Sequence, residues 1–81
     1  MTRYKIMLHS VQDVKDFVHL TNSFPYDFDL LSGRYVVDGK SIVGIFSLDL
    51  GNPIEVLIYT SNPSIDLIDG IKKFLVKPEQ S

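Results

Sequence analysis

Cysteine is absent from this chain. That excludes a disulfide framework, a thiolate metal site and a cysteine nucleophile. A small domain without disulfides also fits a reducing compartment. Histidine is scarce: only His9 and His19 occur. The two lack metal-ligand spacing and no third ligand accompanies them, so no metal site is expected. Surplus positive charge is missing too. Eight Lys and Arg stand against ten Asp and Glu, a net charge of −2. Nucleic-acid binding needs a basic face to displace counterions, so no nucleic-acid partner is expected. No apolar run approaches the roughly 20 residues that span a bilayer. The opening residues MTRYKIMLHSVQD lack the apolar core of a signal peptide. We expect a soluble, cytoplasmic protein with no membrane insertion and no cofactor. No nucleophile–base pair, phosphate-cradling glycine loop or metal cluster is visible, so an enzyme with its own active site is not expected.

What is present suffices for one modest core. The chain has 81 residues, of which 44% are hydrophobic, enough to exclude general disorder but small for burial. We read residues 1–81 as a single domain, with 78–81 frayed.

Arg3 to Leu8 suits a strand, with Tyr4, Ile6 and Leu8 on one face. Ser10-Val11-Gln12-Asp13 reads as a helix start: a hydroxyl caps free N–H groups and an acid follows in the first turn. Val11, Val14, Phe17, Val18 and Leu20 keep helical spacing. Asp13, Lys15, Asp16 and His19 take the other side. Asn22-Ser23 and then Pro25 end that helix. Tyr26 to Leu31 reads as a second strand, Ser32-Gly33 as a tight turn, and Arg34 to Val37 as the returning strand. Asp38-Gly39 turns again, and Gly51-Asn52-Pro53 is a further break. Ile54 to Thr60 reads as a buried strand. Asn62-Pro63 is expected to open the last helix, an Asn cap with Pro at the first helical position. Its stripe would be Ile65, Ile68, Ile71 and Leu75, joined by Leu67 and Phe74. Gly70 either weakens this helix by about 1 kcal/mol relative to Ala or allows a close approach to the sheet. The fold class is α+β. We expect a four-stranded antiparallel sheet with two longer helices on one face and one short helix, in the order βαββαβα.

Between the turn at Gly39 and the break at Gly51 lies KSIVGIFSL, residues 40–48. It is too short for a free-standing helix and too apolar for a simple loop. Ser41 reads as the N-cap of a short helix from about Ile42 to Leu48. The same geometry allows a second reading. A phosphate on that hydroxyl would meet the positive end of a helix, with Lys40 adding positive charge. Ile42, Val43, Ile45 and Phe46 are more than so short a helix can bury, so some should face solvent and form a docking patch.

This segment closely resembles the KSIMGVMSL segment of HPr, the histidine-containing phosphocarrier of the bacterial sugar phosphotransferase system. Tyr26-Asp27-Phe28-Asp29 resembles the HPr strand after its first helix, and Ile54 to Thr60 its last strand. The resemblance implies the HPr fold, an open-faced β-sandwich. It implies that Ser41 is the regulatory position modified by an ATP-dependent HPr kinase/phosphorylase. It also implies protein partners: phosphotransferase-system components or a transcriptional regulator, met by Ile42, Val43 and Phe46.

One part of the pattern departs. HPr carries its phospho-accepting histidine in a GIHARPA motif at the start of the first helix. Counting back without gaps from Tyr26-Asp27 puts Gln12 on the histidine, Val14 on the arginine and Lys15 on the proline. An amide nitrogen, its lone pair delocalised into the carbonyl, does not accept phosphoryl groups as a neutral imidazole does. Gln12 together with Ser41 resembles the catabolite-repression HPr paralogue, a regulator only, although that paralogue keeps the arginine. We therefore expect a regulatory, protein-binding relative of HPr in carbon catabolite control, with Gln12, Val14, Lys40, Ile42, Val43 and Phe46 facing partners. Two alternatives stay open: a working phosphocarrier with His9 as a displaced acceptor, and an interaction domain that has lost both phosphosites.

Overall fold

Alternating apolar residues build a sheet because each strand can turn one face inward and leave the other wet. The computed structural model describes residues 1–76; the frayed end expected at 78–81 lies outside them. The elements are β1 (Thr2–Ile6), α1 (Val11–Asn22), β2 (Phe28–Ser32), β3 (Tyr35–Asp38), α2 (Ile42–Phe46), β4 (Ile54–Ile58) and α3 (Ile65–Lys72). The expected order βαββαβα is the observed one. The strands form one sheet in the order β1-β4-β2-β3, and every neighbouring pair is antiparallel.

Ile6, Phe28, Leu30, Ile54, Val56 and Ile58 face inward and are buried with Val14 and Phe17 of α1 and Leu67 and Ile71 of α3. The rings of Phe17 and Phe74 meet edge to face at 5.5 Å, joining α1 to the turn that follows α3. The outer face is mixed. Arg3 pairs with Glu55 there at 2.9 Å. The Tyr59 hydroxyl donates to Asp29 at 2.5 Å, and this bond holds the phenol proton, raising its pKa above the ordinary 10.0.

Gly33 supplies the hairpin between β2 and β3. Its φ is +60°, and no other described residue has a positive φ. A positive φ at the first of two turn positions is the II′ pattern, whose twist suits a hairpin.

Several boundaries differ from expectation. Strand β1 ends at Ile6, because the next amide, Met7 N–H, turns to the carbonyl of Phe74 at 2.8 Å. Strand β2 begins at Phe28, after Phe24 and Tyr26 stack on each other at 6.2 Å. The cap of α3 is Ser64, whose hydroxyl accepts from Leu67 N–H at 3.3 Å, and not Asn62. That shift rotates the apolar stripe. Leu67, Ile71 and Phe74 are buried while Ile65 is 75% exposed. Leu75 lies beyond the helix and bridges to Ile6. Gly70 serves a close approach, but to α1 and not to the sheet. A Cβ there would stand 2.5 Å from Leu20 Cδ1.

Candidate functional site

The Asp38–Ser41 turn is where the fold sets its second helix. Gly39 N–H donates to Phe28 O at 2.8 Å, so the turn is tied to β2. A side chain at Gly39 would put its Cβ 2.7 Å from that of Phe28. Only glycine lets the turn lie this close. From the other side α1 grips it. The buried Thr21 hydroxyl donates to Gly39 O at 2.9 Å, and Asn22 Nδ2 donates to Lys40 O at 3.1 Å. Asp38 Oδ1 accepts from Lys40 N–H at 2.9 Å. Three bonds from distant residues thus present Ser41.

Ser41 is the N-cap of α2, as expected. Its hydroxyl accepts from Gly44 N–H at 3.1 Å, and its carbonyl accepts from Ile45 N–H at 3.0 Å. Helix α2 closes at Phe46, two residues earlier than expected. Ser47 N–H and Leu48 N–H turn to carbonyls three residues back, tightening the last turn. Ile45 enters the core, Ile42 is half-buried, Val43 is 78% exposed and Phe46 is 44% exposed. The first turn of α2 contains no acid.

The start of α1 is built locally. Ser10 caps it by accepting from Asp13 N–H at 3.0 Å, and Asp13 Oδ2 accepts from His9 N–H at 2.9 Å. This resembles a capping box moved back by one residue. Gln12 lies two positions inside the helix, not at its mouth. Its amide donates to Asp16 at 2.9 Å, and Lys73 of α3 donates to the same carboxylate at 3.0 Å. The Gln12 bond first, then Lys73, hold the Asp16 carboxyl below its ordinary pKa of 3.8. His9 is exposed immediately before the cap. With Val11, Phe46, Met7 and Leu50 it lines a groove between the start of α1, the end of α2 and the loop that follows α2.

Three expectations need correction. Val14 is wholly buried in the core and cannot meet a partner; its place on the apolar stripe of α1 outweighs its alignment with the family arginine. The Lys40 ammonium does not stand over Ser41. It donates to Phe24 O at 2.9 Å and sits 5.8 Å from the centre of the Phe28 ring. Val11, expected on the apolar side of α1, is exposed beside Phe46. Sequence reasoning missed Thr21 and Asn22. The signal for Thr21 was its spacing: it falls four residues after Phe17 and seven after Val14, on the buried stripe.

Among the described residues, no three His, Cys, Asp or Glu come together as a metal site. No helix among them is long and apolar enough to cross a membrane. No family model matches the sequence. No curated protein matches it either. Among solved structures, the chain is similar to the crystal structure of HPr-C-His from Thermoanaerobacter tengcongensis. The TM-score is 0.72 at 21% identity, over 90% of this chain and 89% of that one. At that identity the likeness speaks for architecture alone, and the conclusion it carries is that this chain has the HPr-like fold.

Proposed function

We propose that this chain is a regulatory, protein-binding relative of HPr that carries no phosphoryl group on histidine. It docks partners through the exposed side of α2 and is controlled by phosphorylation of Ser41. The partners are cytoplasmic proteins: phosphotransferase components, an HPr kinase/phosphorylase, or a transcriptional regulator. The observation that carries this reading is the exposure of Val43 and Phe46 on the turn and a half that Ser41 caps. An apolar patch of this kind marks a docking surface better than it serves the core. Ile42 adds a half-buried edge to it. Gln12 and Lys40 add no open role, since both side chains already have partners.

In the modification step, the Ser41 oxygen attacks the γ-phosphorus of ATP. The bond to the β–γ bridging oxygen breaks, ADP leaves, and the hydroxyl proton passes to a base of the kinase. The product carries nearly two negative charges. No carboxylate in the first turn of α2 opposes them. Incubation with an HPr kinase and ATP, read by intact mass, tests the reading. A gain of one phosphate that disappears in Ser41→Ala supports it. No gain favours an interaction domain without phosphosites.

A second reading rests on His9. Its imidazole is exposed next to the α1 cap and shares a groove with Val11 and Phe46, where an incoming phosphoryl donor would dock. Phosphoenolpyruvate with the general phosphotransferase enzyme would then give an acid-labile, base-stable phosphoprotein, lost in His9→Ala. No transfer removes this reading and leaves the first.

A further inference from the structure

The sheet has two edges, and the fold treats them differently. The β1 edge is covered: Ile6 bridges to Leu75, and Val76 N–H donates to Lys5 O at 3.0 Å. The β3 edge has no strand beside it among the described residues. It is short and ends in the charged Asp38, yet its middle is apolar and exposed. Tyr35 is 71% exposed and Val36 60% exposed, with no lysine or proline among the four residues of the strand. A bare apolar edge is a template for another strand.

The register says which groups are on offer. Gly39 N–H donates to Phe28 O, directly opposite it. By the alternation of an antiparallel pair, Val37 and Tyr35 also turn their backbone groups to β2. Val36 therefore turns both its groups to the open side, and Asp38 its N–H, while the Asp38 carbonyl already accepts from Ser41 N–H at 3.1 Å. On the outer face, Val36 lies beside Leu31, and Asp38 lies beside Asp29. The latter is an unfavourable like-charge neighbour.

We propose that the β3 edge pairs with the β3 edge of a second copy of this chain, antiparallel and centred on Val36. In that register Val36 faces Val36, Tyr35 faces Val37, and Arg34 of each copy faces Asp38 of the other. Two opposite-charge neighbours form per dimer, and each relieves the Asp29–Asp38 pair. The alternative centred on Val37 sets Asp38 against Val36 and forms no opposite-charge pair, since the Lys40 ammonium opposite Arg34 is turned to Phe24 O. Charge therefore selects both the occupant and the register. Four-residue edges bury little surface, so the dimer belongs to the weak, concentration-dependent class.

Sedimentation equilibrium of the full chain up to about 1 mM, with amide spectra over the same range, tests this. Reversible dimerisation is expected, with shifts at residues 34–38. Val36→Lys removes the central apolar pair and places like charges directly opposite across the interface, which should weaken association about tenfold or more. Its residue is exposed, and circular dichroism checks that the fold is kept. Arg34→Asp and Asp38→Arg should each weaken self-association, while an equimolar mixture of the two should restore it. A monomer throughout overturns the proposal. So does a dimer indifferent to Val36→Lys but lost in Phe46→Asp, which would lie on the α2 face. Amide shifts at 34–38 that need an added extended peptide would also overturn it, in favour of that occupant.

Discussion

Helices α1 and α2 begin alike, each with a serine oxygen accepting from an amide three residues on, yet what holds the two starts is different. The α1 start is local: Ser10, Asp13 and the His9 amide satisfy one another within five residues. The α2 start is tertiary: Thr21 and Asn22 reach back to Gly39 and Lys40 from 18 residues away. Charge divides them as well. Asp13 already occupies the first turn of α1, and α2 has no acid there. A phosphate would meet a first-turn carboxylate at Ser10 and none in the first turn at Ser41. The comparison therefore ties the serine without a first-turn acid, itself half-buried, to a helix that only the rest of the fold can place.

The largest effects should come from breaking the grip on α2. Gly39→Ala forces a Cβ against buried Phe28, and overpacking of this kind costs about 1–3 kcal/mol. Thr21→Val leaves the Gly39 carbonyl without its donor, a loss of about 1–3 kcal/mol. Urea unfolding checks both. Gly70→Ala sharpens the point. Its Cβ would meet only the flexible end of Leu20, and a helix-propensity gain of about 1 kcal/mol opposes that clash, so its effect should be the smaller.

The caps come next. Ser10→Ala and Ser41→Ala should each cost about 1 kcal/mol, read in the same unfolding experiment. Only Ser41→Ala should abolish modification by an HPr kinase.

Val43→Glu makes the α2 start resemble that of α1. Because Val43 is exposed, stability should move by no more than about 0.5 kcal/mol. Initial rates with the kinase should fall about tenfold, since a carboxylate then opposes the incoming phosphate.

The smallest effect concerns acid. Gln12 and Lys73 hold the Asp16 pKa below 3.8 in the folded chain. The ionised form is therefore the one favoured by folding. This contribution is present above pH 3.8 and is lost as pH falls through the depressed folded value. Gln12→Ala should move the acid-unfolding midpoint slightly upward in pH, and should leave stability at neutral pH nearly unchanged because the pair is exposed.

Much of this was legible in the chain. Period-two alternation marked the strands, serines before apolar runs marked two of the three caps, and KSIVGIFSL pointed to a short helix at Ser41. Misreadings came where two local signals competed. Asn62-Pro63 and Ser64 both suit a helix start, and the burial of Leu67 and Ile71 decided for Ser64.

By itself the sequence determined the order of elements, the inward faces and the cap chemistry, because these depend on residues within one or two turns of each other. Tertiary structure alone decided that the Lys40 ammonium turns to Phe24, that Thr21 clamps Gly39 and that the β3 edge stands open. Each of those facts depends on residues brought together from distant parts of the chain, and burial and backbone pairing between them cannot be read from spacing along it.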